Sequence, residues 1–163
     1  MQNKRLMQFP DINKYPIISI LVDENQKKNI KEMESFLKTS FNPKRLRFIV
    51  LSDVVPENVL QSDFMLFVQK EDFNKLGLLK KEKEEVLRTF IDDIFINLSD
   101  NNEDMLNDYI ASYIRSSFKI GHSKVNMTMH DLVIDYGIEK NDVERLKILY
   151  KYILMLSGGK NEK

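Results

Sequence analysis

The chain has 163 residues, of which 42% are hydrophobic and 31% charged, so it is expected to fold around a core rather than stay disordered. Its 25 basic and 25 acidic residues cancel, which leaves no general field to attract nucleic acid or an anionic membrane. It has no cysteine, which excludes disulfides, thiolate catalysis and cysteine-based zinc sites.

The first predicted elements are an arm, a strand and a helix. Residues 1–15 are mostly polar, a pattern typical of an arm outside the folded domain. Residues 17–22 form a nearly continuous apolar run rich in β-branched residues, which is typical of a strand buried on both faces. A helix is predicted over about residues 25–38, because its apolar residues recur at helical spacing.

The middle of the chain continues this alternation of strands and helices. Residues 46–51 and 64–68 are apolar runs that predict two further strands. Residues 80–90 predict a short charged helix. The side chains expected on its inner face are Val86, Leu87 and Phe90.

The second half carries the clearest strand, helix and strand pattern. Residues 94–98 predict a buried strand, about residues 102–116 a helix with one apolar stripe, and residues 118–120 another strand. A last strand is predicted over residues 132–134. The final helix is predicted to begin with a capping box at residues 141–144.

This alternation predicts an α/β fold. We expect a three-layer, Rossmann-like domain with a mostly parallel sheet of about five to six strands and helices on both faces. The first strand is expected at its centre, beside strand 94–98. The single domain is predicted over residues 16–157, between the arm at residues 1–15 and a disordered tail at residues 158–163.

The candidate binding residues follow from this fold. In an open parallel sheet, ligands bind beyond the carboxyl ends of the strands. Polar residues at those ends are therefore the predicted ligand contacts, although Asp23 and Ser99 are also residue types that cap helices. The candidate ligand-binding residues are Asp23, Ser52, Asp53, Asn97, Ser99 and His122.

Patterns that mark common catalytic and phosphate sites are missing. The turn after the first strand, residues 23–27, contains no glycine, so it lacks the cradle that holds a dinucleotide pyrophosphate. There is no Walker-type loop and no G-x-S-x-G nucleophile elbow. We therefore predict no cofactor and no catalytic residue.

No metal site is predicted either. Asp92 and Asp93 lie at the opposite strand end from Asp100, too far away to share one ion. The acidic residues that follow Asp100 suit a helix N-terminus. His122 and His130 flank one loop, and His122 follows a strand end where a general base can sit, but a solvated loop histidine is the plainer interpretation.

Several short motifs resemble those of known families. The chain is similar, over about residues 15–156, to a family of small uncharacterised α/β proteins from Bacteroidetes bacteria, which implies a bacterial cytoplasmic protein. A second, shorter similarity, over strand 94–98 and strand 118–120, is to the N-terminal domain of heptosyltransferase-type glycosyltransferases. Those enzymes have an aspartate where this chain has Asn97, and their nucleotide-sugar-binding second domain has no counterpart here. The motifs that resemble the first family are Ile96-Asn97-Leu98-Ser99, Tyr109-Ile110-Ala111-Ser112, Phe118-Lys119-Ile120-Gly121, Asp131-Leu132-Val133-Ile134 and Tyr152-Ile153-Leu154-Met155-Leu156.

Two functions are consistent with these patterns. The missing catalytic motifs and the neutral charge favour a non-enzymatic binding or protein-interaction module, with a homodimer or another protein contacting a helix face or an edge strand at residues 64–68. The alternative is a site for a sugar, sugar-phosphate or nucleotide-like ligand at the strand ends, in a glycosyltransferase-like enzyme or its remnant. No apolar run approaches the ~20 residues of a membrane span, so a cytoplasmic protein without membrane or nucleic-acid partners is expected.

Overall fold

The computed structural model describes residues 7–53, 64–89, 91–100, 106–122, 129–137 and 140–157, and contains strands interspersed with helices. The strands are β1 (Ile17–Asp23), β2 (Arg45–Leu51), β3 (Met65–Val68), β4 (Ile91–Asn97), β5 (Arg115–His122) and β6 (Leu132–Ile134). The α-helices are α1 (Ile30–Phe41), α2 (Lys81–Arg88), α3 (Leu106–Tyr113) and α4 (Asp142–Leu156). Two 3-10 helices span Glu24–Asn29 and Lys70–Asp72.

The strands form one parallel sheet in the order β3-β2-β1-β4-β5-β6. The chain moves outward from β1 to β3 and then returns to the other side of β1, where Ile18 pairs with Ile94 of β4. The predicted Rossmann-like fold, the central β1 beside β4 and the edge position of β3 are thereby confirmed. The connections that leave β1 and β4 run to opposite sides, so the sheet has its switch point between these two strands.

The sheet separates two hydrophobic cores, because successive strand residues point to opposite faces. On one face, Ile20 and Ile96 belong to a core shared with α1 and α4. On the other face, Leu21 and Phe95 belong to a core shared with α2 and α3. Helices on both faces make the predicted three layers. Within the described ranges, no helix has the length and apolar character needed to cross a membrane.

The boundary between α3 and β5 differs from the prediction. The helix predicted to continue to residue 116 ends at Tyr113, and β5 begins at Arg115. Ser116 is a buried strand residue that pairs with Asp92 of β4. The apolar spacing changes here from helical to alternating within two residues, and the helical stripe continues into the strand without a glycine or proline to mark the change.

The inner face of α2 is narrower than predicted. Leu87 is fully buried, as predicted, but Val86 is 41% exposed, so its placement in the core is wrong. Neighbouring helix residues point about 100° apart, and this helix of eight residues turns only one of the two toward the sheet. Phe90 lies outside the described residues.

Part of the predicted N-terminal arm contacts the sheet. The Phe9 ring lies edge-on to Phe118 of β5, with 5.3 Å between ring centroids. The Gln8 backbone N–H donates to the Ser117 carbonyl at 2.9 Å. Phe9 and Ile12 therefore pack against the core, a contact that polar composition does not reveal. The predicted tail at residues 158–163 lies outside the described residues.

A buried ion pair links β2 to β4 across β1. Arg47 Nη2 donates to Asp92 Oδ1 at 2.8 Å, and Ser19 Oγ of β1 donates to the same oxygen at 2.8 Å. The side chains of Arg47 and Asp92 are 5% and 0% exposed. Because a buried charge is costly without its partner, the pair favours a sheet in which β1 lies between β2 and β4.

The Asp92 carboxyl group is held in an unfavourable setting for its charge. Burial raises the pKa of Asp92 to about 6, while the Arg47 guanidinium and the Ser19 hydroxyl act in the opposite direction. Asp92 Oδ2 accepts no hydrogen bond from any described residue. Desolvation therefore outweighs the attraction of the neighbouring positive charge.

The stability of the fold should therefore depend on the protonation of Asp92. The pKa of Asp92 is about 6 in the folded chain, whereas its ordinary value is 3.8. The stabilisation from the bound proton is therefore full below pH 3.8 and is lost as the pH rises through about 6. We expect protonation of Asp92 to raise the free energy of unfolding by on the order of 1 kcal/mol when the pH falls from about 7.5 to about 5. Urea titrations at both pH values should show that gain in the native chain and its loss in Asp92→Asn.

The neighbouring exposed carboxylate provides the control for this experiment. Asp93→Asn removes a carboxylate one residue away, which accepts the Ile17 N–H at 2.8 Å. Its charge is the smallest of the causes that raise the pKa of Asp92, so most of the pH dependence should be retained. If Asp92→Asn kept the native difference between the two pH values, the assigned protonation would be wrong.

Candidate functional site

A cleft of about 1270 Å³ opens at the carboxyl edge of the sheet, beside the switch point between β1 and β4. The ends of β1, β2 and β3, Asp100 in the segment after β4 and helix α3 form much of its described wall. The acidic residues that line it are Asp23, Glu24, Asp53, Asp100 and Asp108. Its apolar wall is formed by Leu51, Val68, Phe73, Leu106, Tyr109 and Met129.

The structure divides the predicted ligand contacts into two groups. The residues that line the cleft are Asp23, Ser52 and Asp53. The remaining three are Asn97, Ser99 and His122, which are 0%, 0% and 3% exposed and lie behind the cleft wall. All six surround the same end of the sheet, as predicted, but their contact with a ligand stays a prediction.

Asp23 connects the ends of β1 and β4. Ser99 Oγ donates to Asp23 Oδ1 at 2.5 Å, and the Asp100 backbone N–H donates to Asp23 Oδ2 at 2.7 Å. We call these two hydrogen bonds the Asp23 bridge. Asp23 is also the N-cap residue of the following 3-10 helix, which confirms the capping alternative for this residue. The bridge therefore sets where the chain leaves β4.

The Asp23 carboxylate lies beside the switch point between β1 and β4 and accepts two hydrogen bonds there. In dinucleotide-binding domains, the turn after the first strand brings a pyrophosphate against backbone N–H groups beside the switch point. Here a carboxylate of the chain itself accepts the Asp100 N–H and the Ser99 hydroxyl. These donors are therefore already satisfied by a negative group.

Behind the bridge, buried polar side chains hold the segment after β4. His122 Nε2 lies 2.6 Å from the Ser99 carbonyl and donates to it, because a carbonyl oxygen only accepts. Asn107 Nδ2 donates to the same carbonyl at 3.0 Å. Asn97 Oδ1 accepts the Ser99 N–H at 3.2 Å, and its amide nitrogen lies 3.3 Å from His130 Nε2. These contacts fix the backbone of Ser99.

Helix α4 brings a positive charge to the back of Asp100. Arg145 Nη1 lies 3.5 Å from Asp100 Oδ2 and 3.4 Å from Asp142 Oδ1. The Arg145 guanidinium also lies 5.2 Å from the centroid of the Tyr136 ring. Gln26 Nε2 donates to Asp142 Oδ1 at 2.8 Å, so the same cluster ties the 3-10 helix after β1 to α4.

Sequence reasoning missed the residues of this cluster on α4. The sequence predicts Asp142 only as part of a capping box at residues 141–144. The structure shows the N-cap half of that box, the hydrogen bond from the Glu144 N–H to Asn141 Oδ1 at 2.8 Å. The signal that could have revealed the cluster is spacing. Asp142 and Arg145 lie on the same helix face as the buried Leu149 and are themselves buried.

Two aromatic rings form part of the apolar wall. The ring centroids of Phe73 and Tyr109 are 6.3 Å apart, with the planes tilted by 37°. The Tyr109 hydroxyl accepts the Leu79 N–H at 2.9 Å and lies 3.0 Å from the Tyr113 hydroxyl. The Tyr109 ring is thus held by contacts outside the cleft. Over the described parts of the chain, no three histidine, aspartate or glutamate side chains are grouped closely enough to hold a metal ion.

The Asp23 bridge should contribute measurably to stability. Asp23→Asn keeps the side-chain shape but removes the charge that strengthens both hydrogen bonds, so we expect a loss of about 1–3 kcal/mol in the free energy of unfolding. Asp53→Asn is the matched control, because its exposed ion pair with Lys70 at 3.4 Å should contribute less than about 1 kcal/mol. Urea denaturation of both variants measures the difference, and equal losses would show that the bridge adds nothing.

Comparison with known proteins identifies a family but no activity. No curated protein matches the chain. No solved structure matches it either. Residues 2–156 match a family described as a family of unknown function (DUF6913), in agreement with the predicted resemblance to an uncharacterised family. Because this match covers nearly the whole sequence, the chain belongs to the DUF6913 family of unknown function.

Proposed function

We propose that this chain is a non-enzymatic binding protein that holds a small polar organic ligand in the cleft at the carboxyl edge of its sheet. The observation that carries this proposal is the cleft itself, with a volume of about 1270 Å³ beside the switch point. Doubly wound domains bind their ligands at this place, and typical ligand pockets enclose roughly 300–1,000 Å³. The cleft is therefore ample for a ligand the size of a nucleoside or a sugar.

The walls of the cleft suit a ligand with both polar and apolar parts. Hydrogen-bonding side chains lie at the ends of β1 and β2, including Asn25 and Ser52. Across from these, Phe73 and Tyr109 offer aromatic surface. Polar side chains beside apolar and aromatic surface can bind the two kinds of group that such a ligand carries.

The placement of both histidines supports binding without catalysis. Histidine is the side chain most often used for proton transfer near neutral pH. His122 and His130 are only 3% and 7% exposed. The Nε2 atom of each contacts the chain itself, at the Ser99 carbonyl and at Asn97 Nδ2. These contacts favour a structural role for both rings.

We propose that, if the chain is related to heptosyltransferases, it is a non-catalytic remnant of such an enzyme. Asn97 stands where those enzymes have an aspartate, and it is fully buried with Oδ1 accepting the Ser99 N–H. This setting favours a role in fixing the backbone after β4. The Bacteroidetes origin and the cytoplasmic location remain predictions from the sequence.

A thermal-shift screen tests the cleft as a binding site. The probes are nucleosides, neutral sugars, sugar phosphates and organic amines. A probe that binds the folded state should raise Tm. At a probe concentration of a hundred times its Kd, the stabilisation is about 2.7 kcal/mol. Ser112→Trp places a bulky ring in the cleft from an exposed position of α3 and should abolish the shift.

Thr39→Trp is the matched control, because Thr39 is exposed on α1 and does not line the cleft. The shift should survive in this variant. A shift that persisted in Ser112→Trp would place binding elsewhere, and no shift from any probe class would contradict the proposal.

The end of α4 supports a second candidate function, self-association. Tyr152, Met155 and Leu156 are 43%, 72% and 55% exposed. Their spacing places them together on one helix face, and grouped exposed apolar side chains favour a protein contact. Because the formal net charge is zero, two copies do not repel each other strongly. We therefore propose a second copy of the chain as the partner of this face.

Light scattering after size exclusion tests the second candidate. The native chain should elute at twice its 19.3 kDa mass, and Met155→Lys should return it to one copy by placing a charge in the apolar contact. Lys147→Glu, at another exposed position of α4, should leave the dimer intact. A native chain that stayed monomeric at high concentration would exclude this candidate.

A further inference from the structure

The charge of the cleft indicates the charge of its ligand. Among the described residues that line it, five are acidic and only Lys70 is basic. Lys70 Nζ lies 3.4 Å from Asp53 Oδ2, so this cation already faces a carboxylate. A cleft lined by one sign of charge concentrates its field between walls of low dielectric. Arg145 lies 3.5 Å from Asp100 Oδ2 but does not line the cleft. Acidic side chains remain in excess, so the cleft attracts cations and repels phosphates and carboxylates.

A second observation is that the hydrogen-bond donors at the end of β4 are already used within the chain. The Asp100 N–H and the Ser99 hydroxyl at the end of β4 both donate to Asp23, at 2.7 Å and 2.5 Å. The turn of residues 23–27 has no glycine that would let its backbone approach a phosphate closely. These two donors are therefore already used by a carboxylate of the chain, and the glycine cradle for a phosphate is missing.

The aromatic lining of the cleft is a third observation, and it concerns the apolar part of the ligand. Phe73 and Tyr109 line the same cleft, with their ring centroids 6.3 Å apart. The face of an aromatic ring attracts an organic cation within about 6 Å of its centroid. Carboxylates beside aromatic faces thus provide both the charge and the apolar surface that an organic ammonium group requires.

We propose that the ligand of the cleft is a small organic amine, positively charged at neutral pH. The cleft carboxylates hold its ammonium group, and its carbon body lies against Phe73 and Tyr109. This inference rests on the proposed function, because it names the chemical class of the ligand for the same cleft. It also narrows the predicted set of sugar, sugar-phosphate and nucleotide-like ligands by excluding the phosphorylated members.

Matched probes that differ mainly in charge test this inference. Isothermal titration calorimetry compares phenethylamine with phenylethanol and phenylacetate, and putrescine with butanediol and succinate. The amines should bind at least about tenfold more tightly than their neutral and anionic analogues. Their affinity should fall as salt is added, because salt screens the carboxylates.

Two exposed carboxylates of the cleft supply the variant. Glu24→Gln combined with Asp53→Asn lowers the negative charge at positions where the side chains are exposed, so the fold should be retained. Amine affinity should drop by about tenfold or more. Glu32→Gln, exposed on α1 outside the cleft, is the control and should bind amines like the native chain.

The outcomes separate this inference from the proposed function. If a neutral or anionic analogue bound as tightly as its amine, and Ser112→Trp abolished that binding, the amine inference would fall while the cleft remained a binding site. If the amines bound with equal affinity to the native chain and to the charge-reduced variant, the inference would also fall. If no probe of any charge bound, both would be overturned.

Discussion

The arrangement at the carboxyl edge depends on two hydrogen bonds to one carboxylate. Asp23 ends β1, and its side chain accepts the Ser99 hydroxyl and the Asp100 N–H at the end of β4. These two strands are neighbours in the sheet, and the chain leaves them toward opposite faces. By bridging them, Asp23 sets the floor of the cleft and also places its charge there.

The remaining buried polar groups support that bridge from behind. His122 and Asn107 both donate to the Ser99 carbonyl, at 2.6 Å and 3.0 Å. Arg145 lies 3.5 Å from Asp100 and contacts Asp142 one turn earlier on α4. Buried polar groups are costly unless they are partnered. Each of these side chains therefore stabilises the fold only in an arrangement that satisfies its neighbours.

Much of the fold was predictable because its signals are local. Apolar, β-branched runs such as residues 17–22 marked the strands, and helical spacing marked α1 and α4. Polar residues after the strands also placed Asp23, Ser52 and Asp53 at one edge, where all three line the cleft. The spacing of apolar residues did not predict the boundary between α3 and β5, because no glycine or proline marks the change from helix to strand. It also placed Val86 in the core, whereas α2 leaves this side chain exposed.

The sequence by itself determined the α/β class, the edge at which polar residues collect and the lack of a glycine cradle, because periodicity and residue type carry that information within a few positions. Only the tertiary structure decided which polar groups meet. Asp23 and Ser99 are 76 residues apart in the chain, and Arg47 and Asp92 are 45 apart. Such pairs depend on strand order and register, which the spacing of either partner does not encode. The tertiary structure also separates the cleft-lining Asp53 from the buried His122, although the sequence places both after predicted strands.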